Sequence, residues 1–322
     1  MEGRSARRAA EPERIRHLAG PSGRCHRGAH PRHCGVRGPP ARRPHRAGDD
    51  VHRRRPGARS RVRGSVVTAV AVHAVVTGVS EAPAVVLSNS LGSTHRMWDA
   101  QMPLLDRHFR VIRYDTRGHG DSPVPAGPYS IDDIADDLVA LLDRLDVARA
   151  HLVGLSLGGM TVMRVAQRTP DRVGRLALLC TGAQLPPASG WTERAATVRS
   201  GGSGAVAAAV VERWFTPDFL AAHPDARAFY EEMVASTPAE GYAGCCEAIA
   251  ALDLRGGLSG ITAPTLAIAG ADDPATPPAF LEEIVAGIPR ARLLVVDRAA
   301  HLANAEQPEA VTAALIEHLE QQ

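Results

Sequence analysis

The chain has 322 residues, of which 44% are apolar and 22% charged, a composition typical of a globular protein rather than a disordered one. The absence of any run of 18 uncharged apolar residues argues against a membrane span, and five cysteines without framework spacing argue against a disulfide scaffold. The net charge of +2 hides an uneven distribution, because residues 1–65 carry 18 Arg against five acidic residues and the remainder is acidic.

Residues 1–65 contain too few apolar side chains and too many Pro and Gly residues to build a core. We predict a basic extension that is disordered or is upstream sequence foreign to the domain. A nucleic-acid-binding arm and a transit peptide are the alternatives, but no recognised binding module or amphipathic helix accompanies the charge. Its Cys and His residues match no zinc spacing, so no metal site is expected. The predicted folded domain is residues 66–322.

From residue 66 onward, short runs of β-branched residues alternate with helical periodicity. The alternation predicts a doubly wound, mostly parallel sheet of α/β class. Ser130 and Asp133 have the spacing of a capping box and mark a helix start. Strands are predicted at residues 68–77, 85–87, 109–114, 151–155, 176–180, 265–269 and 293–296, and helices at 130–145, 158–168 and 311–319.

The segment between the strands at 176–180 and 265–269 has no strand signal, yet it holds most of the aromatic residues. A stretch of this length is not a plain loop in a compact domain. We therefore predict a helical lid at about residues 184–262, inserted between two late strands and covering the carboxyl ends of the sheet.

A G-x-S-x-G motif at residues 154–158 follows one predicted strand and precedes a helix, the context in which a tight turn lifts a nucleophilic serine above the sheet. Such a serine, here Ser156, needs a base and a carboxylate that orients it. His301 follows the last strand, and Asp273 follows the strand before it, with Asp272 as the alternative acid. The chain order Ser, Asp, His is the order expected for this architecture.

A tetrahedral intermediate on Ser156 also needs two backbone donors for its oxyanion. The amide of Leu157, directly after the nucleophile, is the first candidate. The amide of Leu91, in the loop at residues 88–93, is the second. In that loop Asn89-Ser90 stands where many such enzymes have His-Gly.

The chain resembles the α/β-hydrolase superfamily over about residues 68–319 and, within it, the 3-oxoadipate enol-lactonases. The SNSLG and CCEAIAALDLR strings are the more selective features, whereas YDTRGHGDS is general to the superfamily. The similar strings are LSNSLGSTHRMWDAQ (87–101), YDTRGHGDS (114–122), GLSLGGM (154–160), RWFTPDF (213–219), GCCEAIAALDLR (244–255), AGADDPATPP (269–278) and AHLANAEQP (300–308).

The resemblance implies hydrolysis of an enol-lactone to 3-oxoadipate in the β-ketoadipate pathway of aromatic degradation, without metal or organic cofactor. Ser156 would attack the lactone carbonyl while His301 takes its proton. The substrate carries a carboxylate, so a cation is expected in the pocket, with Arg96 and Arg213 as candidates and Trp214 as a pocket wall. The expected partner is this small molecule rather than nucleic acid or a membrane, and the sequence gives no oligomeric state.

Other activities remain open at this stage. A small-ester esterase, a C–C hydrolase or a cofactor-free perhydrolase would share the triad and differ in lid and pocket. His301 could also activate water directly on the lactone. The presence of Ser156, Asp273 and His301 disfavours a non-catalytic homologue. We expect a cytoplasmic location, since no signal peptide is recognised and the cysteines require no oxidising compartment.

Overall fold

A computed structural model of the protein describes residues 69–321, so the predicted extension at residues 1–65 lies outside the described residues. Seven strands form one sheet: β1 (Ala74–Gly78), β2 (Ala84–Ser88), β3 (Arg110–Tyr114), β4 (Ala150–Leu155), β5 (Val173–Leu179), β6 (Thr265–Gly270) and β7 (Ala291–Val296). Their order across the sheet is β1-β3-β2-β4-β5-β6-β7. Only β1 runs antiparallel to its neighbour among these strands, which confirms the predicted mostly parallel sheet.

The first strand starts later than predicted, at Ala74 rather than at residue 68. The residues just before it bond to helix α2 (Ile131–Arg144) and to the loop after β3 instead of to a strand. The Val70 amide donates to Asp137 at 2.7 Å, and the His73 amide donates to the Ser122 hydroxyl at 2.9 Å.

Eleven α-helices accompany the sheet within residues 69–321. The predicted capping box is present, because the Asp133 amide donates to the Ser130 hydroxyl and the Ser130 amide donates to the Asp133 carboxylate. Three of the helices outside the predicted lid, of seven, ten and four residues, were not predicted because each is too short to show a clear period. The helices are α1 (Met102–His108), α2 (Ile131–Arg144), α3 (Leu157–Arg168), α4 (Ala188–Gly201), α5 (Gly204–Trp214), α6 (Pro217–Ala222), α7 (Pro224–Ala235), α8 (Ala239–Ala250), α9 (Pro278–Gly287), α10 (Ala303–Glu306) and α11 (Pro308–Glu320).

The central strands lie in the core, whereas the edge strands are half exposed. Every residue of β6 is buried, and in β4 only His151 is not fully buried. Helices on both faces of a parallel sheet produce this pattern. At the edges, β1 and β7 alternate between exposed and half-buried residues.

The predicted lid is helical. Helices α4 to α8 lie between β5 and β6, where α4 packs against α8 and α5 packs against α7. We call α4 to α8 the helical lid from here on. None of the helices within residues 69–321 combines the length and apolar character that crossing a bilayer requires.

Candidate active site

Ser156 occupies a strained position between β4 and α3. Its φ of 57° lies in a region that residues other than glycine rarely adopt, and its ψ is −117°. Neighbouring segments hold this conformation, since the Ser156 amide donates to the Leu179 carbonyl at 2.9 Å and the Thr181 hydroxyl donates to the Ser156 carbonyl at 2.7 Å. The turn therefore depends on its contacts with β5 and the loop that follows it.

The two glycines of the G-x-S-x-G motif are required by close backbone contacts. A Cβ on Gly154 would lie 2.2 Å from the Gly158 carbonyl oxygen, and a Cβ on Gly158 would lie 2.2 Å from the Ser88 carbonyl oxygen. Backbone atoms cannot move aside as a flexible side chain could. The motif thus brings the Ser156 turn directly against the end of β2.

Asp273 and His301 form a buried pair at the ends of β6 and β7. The Asp273 carboxylate accepts a hydrogen bond from His301 Nδ1 at 2.8 Å. The Thr276 hydroxyl donates to the same carboxylate at 2.6 Å, and the amides of Ala275 and Thr276 donate to it at 2.8 and 3.0 Å. Because a carboxylate only accepts, Nδ1 carries the proton and Nε2 is left as the basic nitrogen.

The Asp273 carboxylate remains ionised in this setting. Burial raises its pKa, but the charge of His301 and the hydrogen bonds from His301 and Thr276 outweigh burial and lower the pKa to about 2. Asp272, the alternative acid, is exposed and lines a separate depression beside Arg298. The carboxylate that contacts His301 is therefore that of Asp273.

Ser156 and His301 line one cavity of about 360 Å³ at the carboxyl ends of the parallel strands. We call it the carboxyl-end cavity. Ser90, Leu91 and Thr276 complete its sheet side. The lid and the segment leading into it supply the opposite wall: Leu185, Pro186, Pro187, Trp191, Arg194, Val210, Arg213, Trp214 and Tyr242.

The backbone amides of Leu91 and Leu157 are available to a ligand. Both residues are buried, yet neither amide donates a hydrogen bond to any part of the chain that the structure describes. Buried amides without an acceptor are rare in folded proteins. Leu157 is also the first residue of α3, so its amide lies at the positive end of that helix dipole.

The Asn89 side chain explains how this loop is held without the more usual His-Gly pair. Its amide donates to the Tyr114 carbonyl at 2.6 Å, and its oxygen accepts from the Trp98 indole at 3.0 Å. Both bonds are buried and bind the loop to β3 and to the turn before α1. Asn89 thus fixes the position of the Leu91 amide.

Of the predicted pocket residues, Arg213 and Trp214 line the carboxyl-end cavity and Arg96 does not. The Arg96 guanidinium lies over the Phe229 ring at 4.9 Å and pairs with Asp99 at 3.5 Å on the protein surface. Arg96 was predicted to line the pocket because it follows the Leu91 loop closely in sequence. The short 3-10 helix at residues 95–101 instead places the Arg96 side chain outside.

Arg194 is a second cation of this cavity that sequence reasoning missed. It packs over Trp191 at 4.6 Å in α4. Within residues 69–321, neither Arg194 nor Arg213 has a carboxylate within salt-bridge distance, whereas Arg199 on the same helix pairs with two. Burial and the charge of Arg194 lower the pKa of Arg213, which still leaves the guanidinium charged. The sequence offers no local signal for Arg194, because α4 has no pronounced apolar face.

Tyr242 is another missed residue of the cavity. Its side chain is fully buried, and its hydroxyl lies close to the Arg194 guanidinium but makes no well-formed hydrogen bond within the described residues. Burial raises the pKa of Tyr242, so the phenol stays protonated and can donate. An orphan donor in a cavity wall is suited to bind a polar ligand atom.

A buried glutamate joins the lid to the loop that carries His301. The Glu306 carboxylate accepts from the Thr216 amide at 3.1 Å, from the Thr216 hydroxyl, and from the Ala300 amide at 2.8 Å. Thr216 begins α6 of the lid, and Ala300 directly precedes His301. The position of the lid and that of the histidine are therefore linked through one side chain.

Within the described residues, one group of side chains has the spacing of metal ligands: His73, His95 and Asp115. None of them lines the carboxyl-end cavity. The Asp115 carboxylate already accepts from both imidazoles at 3.0–3.1 Å and from the amides of His95 and Asp121. These four bonds give the group a role in fixing the loop after β3.

Residues 83–308 match the α/β hydrolase fold family. A 3-oxoadipate enol-lactonase of Acinetobacter baylyi is 40% identical over 241 residues, which are 75% of this chain and 90% of that protein. The solved enol-lactonase from Burkholderia xenovorans LB400 is 41% identical with a TM-score of 0.77, covering 79% of this chain and 99% of its own. A thermophilic esterase from Thermogutta terrifontis, solved with malate bound, is 31% identical with a TM-score of 0.73. The match covers 76% of this chain and 92% of the esterase chain.

Proposed function

The chain belongs to the α/β-hydrolase fold family, and from this premise we propose that it hydrolyses the enol-lactone of 3-oxoadipate to 3-oxoadipate. Similarity to two enol-lactonases of Acinetobacter baylyi, at 40% and 36% identity, supports the substrate. The observation that carries the proposal is that Arg194 and Arg213 share one cavity with Ser156 and His301. Such a cavity binds an anion beside a nucleophile, and the lactone is an ester that carries a carboxylate.

In the proposed reaction, His301 Nε2 takes the hydroxyl proton as Ser156 attacks the lactone carbonyl. The ionised Asp273 stabilises the imidazolium that results. The amides of Leu91 and Leu157 donate to the oxyanion of the tetrahedral intermediate. Collapse of this intermediate breaks the ring C–O bond and expels an enolate, which is a good leaving group because its charge is delocalised.

The second half of the reaction releases the acyl group. The enolate takes the proton from the His301 imidazolium and becomes the ketone, which leaves His301 neutral again. His301 then removes a proton from water, which attacks the acyl-Ser156 ester. Collapse returns the serine hydroxyl and frees a second carboxylate, so the product carries one more negative charge than the lactone.

Recognition of the substrate carboxylate is assigned to Arg194 and Arg213. A guanidinium fork binds a carboxylate through two parallel hydrogen bonds, and partial burial strengthens such a pair. The orphan Tyr242 hydroxyl can donate to a remaining oxygen of the ligand. Trp191 and Trp214 offer apolar surface to the lactone ring.

The test is enol-lactone hydrolysis by the purified full chain, followed by loss of ultraviolet absorbance, with an uncharged p-nitrophenyl ester in parallel. We expect lactone turnover that Ser156→Ala abolishes, and a raised KM for the lactone alone in Arg194→Gln. Turnover that survives Ser156→Ala would contradict the covalent serine route. Serine-dependent cleavage of the p-nitrophenyl ester without lactone turnover would instead assign the protein to the esterases, to one of which it is 31% identical.

A further inference from the structure

A second cavity, of about 450 Å³, lies at the opposite end of the sheet. Its walls come from the amino-terminal starts of the parallel strands, at Ala84 in β2, Ala150 in β4 and Gly174 in β5. We call it the amino-end cavity. His151 in its wall precedes Ser156 by five residues of extended chain, which separates the two sites by about 16 Å. A ligand here therefore cannot react at Ser156.

Three arginines from separate segments line the amino-end cavity. Arg149 lies just before β4, Arg175 lies within β5, and Arg290 lies just before β7. Across residues 69–321, none of the three has a carboxylate within salt-bridge distance, whereas the nearby Arg172 pairs with Asp143 at 2.8 Å. Apart from a bond between Arg149 and the Val173 carbonyl at 3.3 Å, their guanidinium groups lack protein acceptors in the described chain.

The imidazole of His151 adds an orphan polar atom to this basic cavity. Its Nδ1 is buried and has no partner among the described residues. Gly174 makes room for the ring, since a Cβ at that position would lie 2.9 Å from Nδ1. Burial and the charges of Arg175 and Arg149 lower the pKa of His151 to about 4, so the ring is neutral at pH 7. Burial and the charge of Arg290 also lower the pKa of Arg175.

We propose that the amino-end cavity is a binding site for a small multivalent anion of the phosphate or polycarboxylate type, held by Arg149, Arg175 and Arg290. Guanidinium forks match the oxygens of both anions. Three uncompensated cations favour an anion with two or more charges over a halide. The concave shape favours a small molecule over a polymer.

Binding at this site would join the starts of β4, β5 and β7 through one ligand. A ligand that binds only the folded protein raises its stability, and the gain grows with the logarithm of ligand concentration once that concentration exceeds Kd. The anion would also offset the charges that depress the pKa of His151. Two readouts follow that do not depend on lactone turnover: the affinity of the folded protein for the anion and the titration of the His151 ring.

The experiment uses the full chain with Arg194→Gln and Arg213→Gln in every protein, so that anions are not bound at the carboxyl-end cavity. Inorganic phosphate, citrate and chloride are titrated by calorimetry at matched ionic strength. The test variant adds Arg175→Gln and Arg290→Gln. The control adds Arg292→Gln, which removes an arginine on β7 that is paired with Glu317 at 3.5 Å.

We expect phosphate or citrate to bind, with at least a tenfold loss of affinity in the test variant and none in the control. The His151 ring, followed by NMR, should titrate at higher pH when the anion is present. The phosphate and citrate arms show which oxyanion is preferred. Equal affinity in test and control variants, or a response to phosphate and citrate no larger than that to chloride, would overturn the proposal.

Discussion

Each end of the sheet has a cavity lined by arginines that lack carboxylate partners in the described chain, yet a serine and a histidine share the cavity at the carboxyl end only. At the carboxyl end, loops hold Ser156 in a strained turn and fix the orientation of His301 through Asp273. At the amino end the cavity offers the neutral imidazole of His151, and no serine or cysteine lines it within residues 69–321. Charge can recruit an anion at either end, but reaction requires side chains held in a set geometry.

The largest expected effect tests whether the carboxyl end owes its reactivity to that geometry. Asp273→Asn should lower kcat on the enol-lactone by about 10⁴-fold, since an amide neither fixes the His301 tautomer nor stabilises the imidazolium. The matched control is Asp272→Asn, one residue away and exposed, which should leave kcat within about twofold. Steady-state kinetics measures both, and equal rates in the two variants would contradict the assignment of Asp273.

The arginines provide the next test, because removing an arginine at the amino end should not change lactone hydrolysis at the carboxyl end. Arg194→Gln should lower kcat/KM for the lactone by roughly 10–100-fold through KM, as expected for loss of a charged hydrogen bond. Hydrolysis of an uncharged p-nitrophenyl ester should stay near the wild-type rate. Arg175→Gln serves as the distant control. A similar loss on the lactone in Arg175→Gln would show that overall charge, rather than the cavity, attracts the substrate.

Glu306 tests the mechanical link that exists only at the carboxyl end. Glu306→Gln should lower the free energy of unfolding by about 1–2 kcal/mol, because it weakens charge-assisted bonds to Thr216 and Ala300. Urea denaturation measures the change. Glu309→Gln, an exposed position on α11, is the matched control and should change stability by less than about 0.5 kcal/mol. Indistinguishable denaturation midpoints for the two variants would contradict the role of Glu306.

The smallest expected effect is on the pH dependence of the free energy of unfolding, which should differ between the two ends. His151 has a folded pKa of about 4, below its ordinary 6.5, so the unfolded chain binds the extra proton and stability falls as pH drops from about 6.5 to 4. Asp273 has a folded pKa of about 2, so its contribution is complete above its ordinary 3.8 and is lost as pH falls toward 2. His318, whose pKa is also about 4, and Asp115, at about 2, add to the same two windows.

His151→Gln should therefore flatten the stability profile between about pH 6.5 and 4, leaving there the contributions of His318 and of His119, whose pKa burial also lowers. The lower window should be unchanged. Asp273→Asn should flatten the stability profile below about pH 3.8 and leave the window between about pH 6.5 and 4 unchanged. Chemical denaturation at stepped pH measures both profiles. If the two variants flatten the same window, the pKa difference between the two ends does not exist.

The fold and the placement of Ser156, Asp273 and His301 at the strand ends were accessible from the sequence because their signals are local. β-branched runs predicted the strands, and the capping box at Ser130 marked the start of α2. The G-x-S-x-G spacing identified the turn at Ser156 because two close backbone contacts admit only glycine there. Asp273 and His301 each follow a predicted strand, and in a parallel sheet the strand ends meet at one edge.

The cavity walls were not accessible in this way, because they depend on which face each helix presents. Arg194 and Tyr242 lie on lid helices whose inward faces are set only by how α4 packs on α8. Arg96 is the opposite case, a residue that was predicted in the cavity and lies outside it. It is close to the Leu91 loop in sequence, but its side chain points to the surface. The amino-end cavity was missed for a related reason. Its arginines converge only once β4 to β7 are aligned in the sheet.

The lid has a genetic consequence, because it is one uninterrupted stretch of chain. Among residues 69–321, both arginines that face the carboxyl-end cavity are encoded between β5 and β6, whereas Ser156, Asp273 and His301 are encoded outside that stretch. A single recombination event that replaced this stretch would exchange Arg194 and Arg213 together and retain Ser156, Asp273 and His301. The joint that such an exchange must preserve is the contact of Thr216 with Glu306.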